Sequence, residues 1–333
     1  MTRTLWLHIG THKTGTTAIQ SAFHKYSDDG LRYLALPHPN HSFPILTMFQ
    51  TDPERFFSNA RVPYPYRDFA RNRPKLLHRF KQLLEQDRRD IVISGESMSR
   101  PGFAGGHEAL LDFCRPHFDR VQVVVYLREP VSFVTSMLAE RMKTTPTEFR
   151  PVPEKAMYRA RLEHWIDAVG RDNVHVRPFH RGAFGVGGVV ADFGAVVGVT
   201  KPLPENKGSN ISPSTEALAV TNHYLRKPAG VLGQQWNRYL SILAREFPGH
   251  PLAIPTKRVA LYLRANSDDI AWAERLLGEP FQAYESHADA IEVRDDEVFC
   301  KIAEDALPAF RKWVAPKVIT SLPWMVRKVL APK

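Results

Sequence analysis

The sequence predicts an α/β protein in three layers, α/β/α, with a central parallel sheet and a helical C-terminal cover. Short apolar runs alternate with longer helical patterns through the first 180 residues, as in βαβ units whose parallel sheet is covered on both faces. Residues 121–127 (VQVVVYL) form the most continuously β-branched run and predict a central strand. After Lys201 the pattern is helical.

The individual elements are predicted from the period of their apolar residues. The predicted strands are residues 4–9, 90–94, 121–127 and 173–179. The predicted helices are residues 16–26, 74–86, 131–143, 158–169, 213–225 and 233–246. Residues 38–72 are rich in proline and aromatic residues and follow no steady period, which is typical of a substrate-side loop or lid. We expect one domain over 1–333, with a core at 4–225, the insert 38–72 and a helical extension at 226–333.

The charge of the chain favours an anionic partner. The 333 residues include 45 Lys and Arg against 35 Asp and Glu, a formal net charge of +10. The basic residues are dispersed, and neither an aromatic-interleaved RNA-binding signature nor zinc-finger spacing occurs. We therefore expect no nucleic-acid partner. The 14 histidines are scattered without metal-ligand spacing, so no metal is expected.

Cysteine usage and hydropathy predict the compartment. Cys114 and Cys300 are too few for a disulfide framework and favour a reducing environment. The N-terminus runs straight into a strand pattern, and no apolar run is long enough for a membrane span. We expect a cytoplasmic protein. The tail 318–333 mixes apolar and basic residues, so it is either a helix docked on the core or a peripheral membrane contact.

Residues 10–17 (GTHKTGTT) lie between a predicted strand and a predicted helix, where backbone N–H groups and the positive helix end form an anion site. Gly10 and Gly15 have the spacing of the phosphate-binding loop of ATPases and GTPases. However, Thr16 occupies the position that requires lysine there, and Lys13 lies inside the loop instead. The loop therefore predicts phosphate binding but argues against a standard ATPase or GTPase.

A second anion site is expected at Arg128, which follows the strand 121–127. Open parallel sheets bind ligands at the carboxyl ends of their strands, and arginine offers a planar fork to phosphate. Ser136 lies eight positions later on the next predicted helix. Taken alone, the two residues would indicate a salt bridge and a helix hydroxyl. Lys207, in a polar loop at 206–213, is either a third contact or part of a helix-capping linker.

The run Lys13-Thr14-Gly15-Thr16-Thr17 resembles, without a gap, the 5′-phosphosulfate loop of sulfotransferases that use 3′-phosphoadenosine 5′-phosphosulfate (PAPS). Residues 128–136 (REPVSFVTS) are similar to the 3′-phosphate motif of the same family. The order of elements over 4–225 resembles bacterial and Golgi-type carbohydrate sulfotransferases, which implies their P-loop NTPase-like fold. The implied cofactor contacts are Gly10, Thr11, His12, Lys13, Thr14, Gly15, Thr16, Thr17, Arg128, Ser136 and Lys207.

The resemblance also implies a reaction, in which a sulfuryl group passes from PAPS to a hydroxyl or amine of a small-molecule or saccharide acceptor. Lys13 would stabilise the leaving phosphate, and a base must take the acceptor proton. Glu96, after the strand 90–94, is the first candidate for that base, and His12 is its rival because its ordinary pKa suits the task. Two other functions stay open: an ATP-dependent phosphotransferase with a displaced lysine, and a non-catalytic anion- or glycan-binding protein.

Overall fold

A computed structural model describes residues 2–36, 38–53, 68–103, 105–151, 155–204, 212–227 and 246–321. The chain divides into two compact units that alternate along the sequence. The first unit comprises residues 1–129, 157–208 and 268–282, and the second comprises residues 130–156, 209–267 and 283–333.

The first unit contains a five-stranded parallel sheet in the order β2-β3-β1-β4-β5. Its strands are β1 Thr4–His8, β2 Leu31–Tyr33, β3 Asp90–Ser94, β4 Arg120–Leu127 and β5 Val174–Pro178. Its helices are α1 Thr16–Phe23, α2 Ser42–Phe49, α3 Phe69–Glu85, α4 Gly106–Cys114, α6 Tyr158–Val169 and α7 Gly188–Val197, with most of α10 Ser267–Leu277. The predicted α/β class with a central parallel sheet flanked by helices is confirmed.

The second unit is mainly helical. Its helices are α5 Pro130–Thr144, α8 Thr215–Arg226, α9 Thr256–Ala265 and α11 Asp296–Ser321, beside a short parallel pair, β6 Leu252–Ala253 and β7 Ile291–Glu292. Helix α8 begins where the sequence predicts a helix, and its N-cap Ser214 accepts a hydrogen bond from the Ala217 backbone N–H at 3.1 Å. The predicted helix 233–246 and the end of the tail 318–333 lie almost entirely outside the described residues.

The sheet forms because its strands are apolar on both faces. Leu7 of β1 lies opposite Ile93 of β3 and Val123 of β4, and all three are fully buried. On the other face, Val124 belongs to an apolar cluster that includes Phe23 of α1 and four side chains of α7, Val189, Val190, Phe193 and Val197. Burial on both faces is the property that distinguishes parallel strands from the alternating pattern of exposed sheets.

The insert 38–72 differs from the predicted irregular loop. Residues 42–49 form helix α2, and helix α3 begins at Phe69 rather than at residue 74. Nearly every side chain of α2 is buried, so it lacks the polar stripe that reveals an amphipathic helix in a sequence. Asp68 caps α3 by accepting from the Arg71 N–H at 3.1 Å, which allows the helix to start before Pro74. Residues 54–67 of the insert lie outside the described part of the chain.

Strand β2 was not predicted from the sequence. Strand β2 pairs with β3 over only three residues, too few to produce a recognisable period in the sequence.

Among the described residues, no helix combines the length and the apolar character that a membrane crossing requires.

Candidate functional site

The predicted site lies at the carboxyl edge of the sheet in the first unit. Strand β1 is paired with β3 on one side and β4 on the other. All three strands are parallel, so the segments that follow them emerge at the same edge. These segments carry Lys13 after β1, Glu96 after β3 and Arg128 after β4.

The loop after β1 has an unusual backbone. Gly10, Lys13 and Gly15 have φ values of 40°, 66° and 74°. A Cβ on Gly10 would lie 2.8 Å from Thr16 Oγ1, and one on Gly15 would lie 2.8 Å from Val189 Cγ1. Both positions therefore require glycine for space as well as for φ. The backbone of Lys13 lies in the left-handed region, although the residue has a side chain. This conformation costs about 1–2 kcal/mol and is typical of functional loops.

Helix α1 starts directly at this loop, and within the described residues no side chain caps its N-terminus. Its N-cap is Gly15, which has no side chain to accept a hydrogen bond from the first turn. The first N–H groups of a helix have no intrahelical acceptor, and they carry the positive end of the helix dipole. An oxyanion is the natural acceptor at such a position.

The threonine hydroxyls of the loop fall into two groups. Thr11 Oγ1 donates to the Tyr126 carbonyl at 2.8 Å, and Thr14 Oγ1 donates to the Thr11 carbonyl at 2.6 Å. Since a phosphate oxygen needs a donor and these hydroxyl protons are used, Thr11 and Thr14 could contact a phosphate only through the backbone. Thr16 Oγ1, in contrast, is buried and makes no hydrogen bond within the described residues, whereas Thr17 is exposed.

Arg128 lies against the loop. Its Nη1 donates to the Lys13 carbonyl at 3.2 Å, and its guanidinium carbon lies 6.0 Å from the centre of the Phe179 ring. The Arg128 carbonyl accepts the Tyr158 hydroxyl at 2.6 Å, which fixes its backbone. The structure thus brings Arg128 and the loop together.

The described part of the first unit includes neither of the other two predicted contacts. Ser136 is half-buried on helix α5, in the second unit. Lys207 falls outside the described residues. Their roles as cofactor contacts stay predictions.

Glu96 and His12 lie close together, as both candidates for a base should. Glu96 opens the short 3₁₀ turn Glu96–Ser99 after β3, and its Oε2 is 3.8 Å from His12 Nδ1. The Ser99 hydroxyl donates to the Gly10 carbonyl, so this turn and the phosphate loop are joined. On its other side, His12 Nε2 is 3.1 Å from Arg100 Nε and 2.8 Å from Arg100 Nη2. Arg100 was not predicted from the sequence.

His8 has the structural role that its place in a strand suggests. It is fully buried, and its Nδ1 is 2.8 Å from the Ser94 hydroxyl. Burial lowers the pKa of His8 to about 3, so the imidazole is neutral at physiological pH.

The start of α2 is fastened to the strand end that carries Glu96. His41 N–H donates to the Ser94 carbonyl at 2.9 Å, and Ser94 N–H donates back to His41 Nδ1 at 3.2 Å. Ser97 N–H donates to the Ser42 hydroxyl at 3.1 Å. A Cβ on Gly95 would lie 2.9 Å from the Ser42 nitrogen, so the two segments touch through their backbones. Sequence reasoning missed this contact, for which Gly95 was the only signal.

A polar network supports β4 and β5 behind the site. Tyr126 Oη donates to Asp192 Oδ2 at 2.7 Å, and Arg177 Nε donates to the same oxygen at 3.0 Å while a second Arg177 nitrogen reaches Oδ1. The paired arginine compensates the charge of Asp192 beside the buried phenol. Burial and the neighbouring carboxylate raise the pKa of Tyr126, which stays protonated and donates.

Within the described ranges, no cluster of histidine, cysteine, aspartate or glutamate has the arrangement of a metal site.

No protein-family model matches the chain, and no curated protein matches it. Among solved structures, the chain is similar to the sulfotransferase domain of the olefin synthase from Synechococcus PCC 7002, with 12% sequence identity and a TM-score of 0.29. The similarity covers 79% of this chain and 94% of that one. A likeness at this level assigns no family.

Proposed function

We propose that this chain is a PAPS-dependent sulfotransferase that moves a sulfuryl group to a hydroxyl or amine, with a saccharide as the acceptor. The main support is the loop after β1, where Lys13, an uncapped helix N-terminus and the buried Thr16 hydroxyl lie together. The sequence resemblance alone supports the choice of PAPS and of a saccharide. A cytoplasmic location is part of the same proposal.

The loop residues fit a phosphate-bearing donor. A buried hydroxyl without a partner costs about 1–3 kcal/mol, and an oxyanion at the loop would accept from Thr16 and remove that cost. The N–H groups that begin α1 would donate to the same oxyanion. Arg128 adds a guanidinium that already contacts the loop backbone. Ser136 and Lys207 complete the set of residues that we propose to contact PAPS.

The residues also fit the proposed chemistry. Bound PAPS would supply a sulfuryl group attached to a phosphate leaving group. The acceptor oxygen bonds to sulfur while the bond from sulfur to the phosphate oxygen breaks. Negative charge therefore grows on the phosphate oxygen. Lys13 stabilises this charge, and the α1 N-terminus adds preorganised donors. Glu96 takes the proton that the acceptor hydroxyl loses.

Two alternative functions require features that differ from those of a sulfotransferase. An ATP-dependent phosphotransferase with a displaced lysine would depend on Mg²⁺ and would need an acidic metal ligand at a strand end, whereas β4 is followed by Arg128. A non-catalytic binding protein would keep the loop but would show no turnover that depends on Lys13.

Thermal shift measurements separate these functions. We expect adenosine 3′,5′-bisphosphate and PAPS to stabilise the protein, by about 2.7 kcal/mol at a ligand concentration 100 times Kd. ATP should stabilise it less. Stabilisation by ATP with none from the bisphosphate would reject the proposal in favour of the phosphotransferase. Transfer of radiolabelled sulfate from PAPS to a panel of polysaccharides would then test catalysis and acceptor class.

A further inference from the structure

His12 lies between a cation and a carboxylate. Its Nε2 faces two nitrogens of Arg100, at 2.8 Å and 3.1 Å, and its Nδ1 faces Glu96 Oε2 at 3.8 Å. The Ser99 hydroxyl, between Glu96 and Arg100 in sequence, donates to Gly10. The segment after β3 is therefore held against the loop that carries His12, and the three side chains form one row.

The partners of His12 determine where its proton lies. A guanidinium donates hydrogen bonds but cannot accept them, and it stays charged at all accessible pH values. The nitrogen that faces Arg100 must therefore be the acceptor. Both the imidazolium and the tautomer with a proton on Nε2 would oppose an N–H to the N–H groups of Arg100. The remaining form is the neutral ring with its proton on Nδ1, directed toward Glu96.

We propose that His12 is a positioning residue, which directs the Glu96 carboxylate through an Nδ1 proton, and that Arg100 selects this tautomer. The inference rests on the proposed function and assigns the proton-accepting role to Glu96 rather than to His12. A histidine base needs a free lone pair, and the lone pair of His12 is directed at Arg100. The 3.8 Å separation exceeds a hydrogen bond, and catalytic hydrogen bonds commonly shorten when substrate binds.

Nitrogen NMR tests the tautomer directly in the full-length protein. In a ¹⁵N-labelled sample at pH 7.5, we expect the His12 ring to show a protonated Nδ1 and an unprotonated Nε2. The His12→Asn spectrum identifies the resonances by their loss. A proton on Nε2, or an imidazolium signal, would overturn the inference. The Arg100→Met variant should shift the His12 resonances, because it removes the group that selects the tautomer.

Kinetics test the consequence for catalysis. The side-chain nitrogen of asparagine can replace Nδ1 as a donor, whereas that of glutamine corresponds to Nε2. We expect His12→Ala to lower kcat on the order of 10²-fold, as loss of positioning does. His12→Asn should recover about tenfold of this loss, and His12→Gln should recover none. Recovery by glutamine but not by asparagine, or an unchanged kcat in the alanine variant, would refute the positioning role.

The inference and the proposed function fail in different ways. If the wild-type protein binds neither PAPS nor the bisphosphate, the proposed function is wrong, whatever the tautomer of His12. If it binds both and Glu96→Gln turns over like the wild type, the donor site stands and the assignment of Glu96 as the base is wrong. The expected result is unchanged binding of the bisphosphate by Glu96→Gln, with kcat reduced about 10²- to 10⁴-fold.

Discussion

The guanidinium of Arg128 donates a hydrogen bond to the carbonyl oxygen of Lys13, with 3.2 Å between Nη1 and O. The contact joins the segment after β4 to the loop after β1, and it holds a lysine whose φ of 66° is unfavourable for a residue with a side chain. Two cationic residues that are far apart in sequence therefore belong to one loop structure. Substitutions in this loop should affect donor binding and turnover.

Replacement of Lys13 by alanine should reduce turnover far more than binding. Lys13 is proposed to act on charge that grows only as the leaving group departs, so its loss should lower kcat about 10²- to 10³-fold. The fall in affinity for adenosine 3′,5′-bisphosphate should be much smaller. Steady-state kinetics and calorimetric titration measure the two effects.

Lys25→Ala is the matched control for this experiment. Lys25 is exposed and has the same φ of 66°, so it reproduces both the lost charge and the backbone change. Its kcat should match the wild type. Equal losses in the two variants would show that the Lys13 effect is conformational and would contradict its catalytic role.

Replacement of Thr16 by valine should weaken ligand binding without destabilising the ligand-free protein. The Thr16 hydroxyl has no hydrogen-bond partner within the described residues, so its removal should leave the free energy of unfolding unchanged or raise it by about 1 kcal/mol. The stabilisation by the bisphosphate should decrease. Thr14→Val is the matched buried control: it removes a hydroxyl that donates to the Thr11 carbonyl, and it should cost about 1 kcal/mol without ligand. Similar losses in both variants would refute the prediction.

Replacement of Gly15 by alanine should be more destabilising than the same change at Gly278. Both glycines have positive φ, 74° and 82°, so each alanine incurs about 1–2 kcal/mol of backbone strain. Only at Gly15 would the new Cβ meet other atoms, Val189 Cγ1 at 2.8 Å and Phe179 Cε2 at 3.2 Å, while nothing lies within 4 Å at Gly278. Overpacking should add about 1–3 kcal/mol. Urea denaturation measures the difference, and equal losses would show that the loop yields without cost.

Acidification should destabilise the protein through its buried histidines. Burial lowers the pKa values of His8 and His41 to about 3, against about 6.5 in an unfolded chain. Between these values the unfolded chain binds protons that the folded chain does not. The free energy of unfolding therefore decreases as the pH is lowered through this range, by about 1.4 kcal/mol per pH unit for each histidine.

The His41→Gln variant isolates one of these histidines. Urea denaturation between pH 6 and pH 5 should show a slope smaller than that of the wild type by about 1.4 kcal/mol per pH unit. His78→Gln, at an exposed position, controls for the loss of a histidine as such. A wild-type slope in His41→Gln would mean that His41 is protonated in the folded state.

The sequence was most informative where burial produces a simple pattern. Strands β3 and β4 are buried on both faces, so their apolar runs were recognisable. Helix α2 is also buried on nearly all sides, but in a helix this removes the amphipathic stripe, and the segment was predicted as a loop. Strand β2 exists because β3 offers it an edge, a condition that three residues of sequence cannot express.

The site was predictable to the extent that strand ends determine position. Lys13, Glu96 and Arg128 were expected at one edge because each follows a predicted parallel strand, and the structure places the three segments there. The contacts of Arg100 with His12, and of His41 with Ser94, depend on side-chain directions in two turns that no local pattern encodes. The contribution of these residues could be found only in three dimensions.

The pairing register of β1 determines which kinds of sequence change the site can tolerate. His8 is the last residue of the strand and lies opposite both Ser94 and Val124, so the following loop starts from two fixed neighbours. One residue inserted or deleted within β1 would move the loop by about 3.3 Å and exchange the two faces of the strand. Substitutions in β1 are therefore easier to accommodate than changes in its length. We therefore expect divergent relatives to align with residues 4–17 without insertions or deletions. This span is a suitable query segment in a search for such relatives.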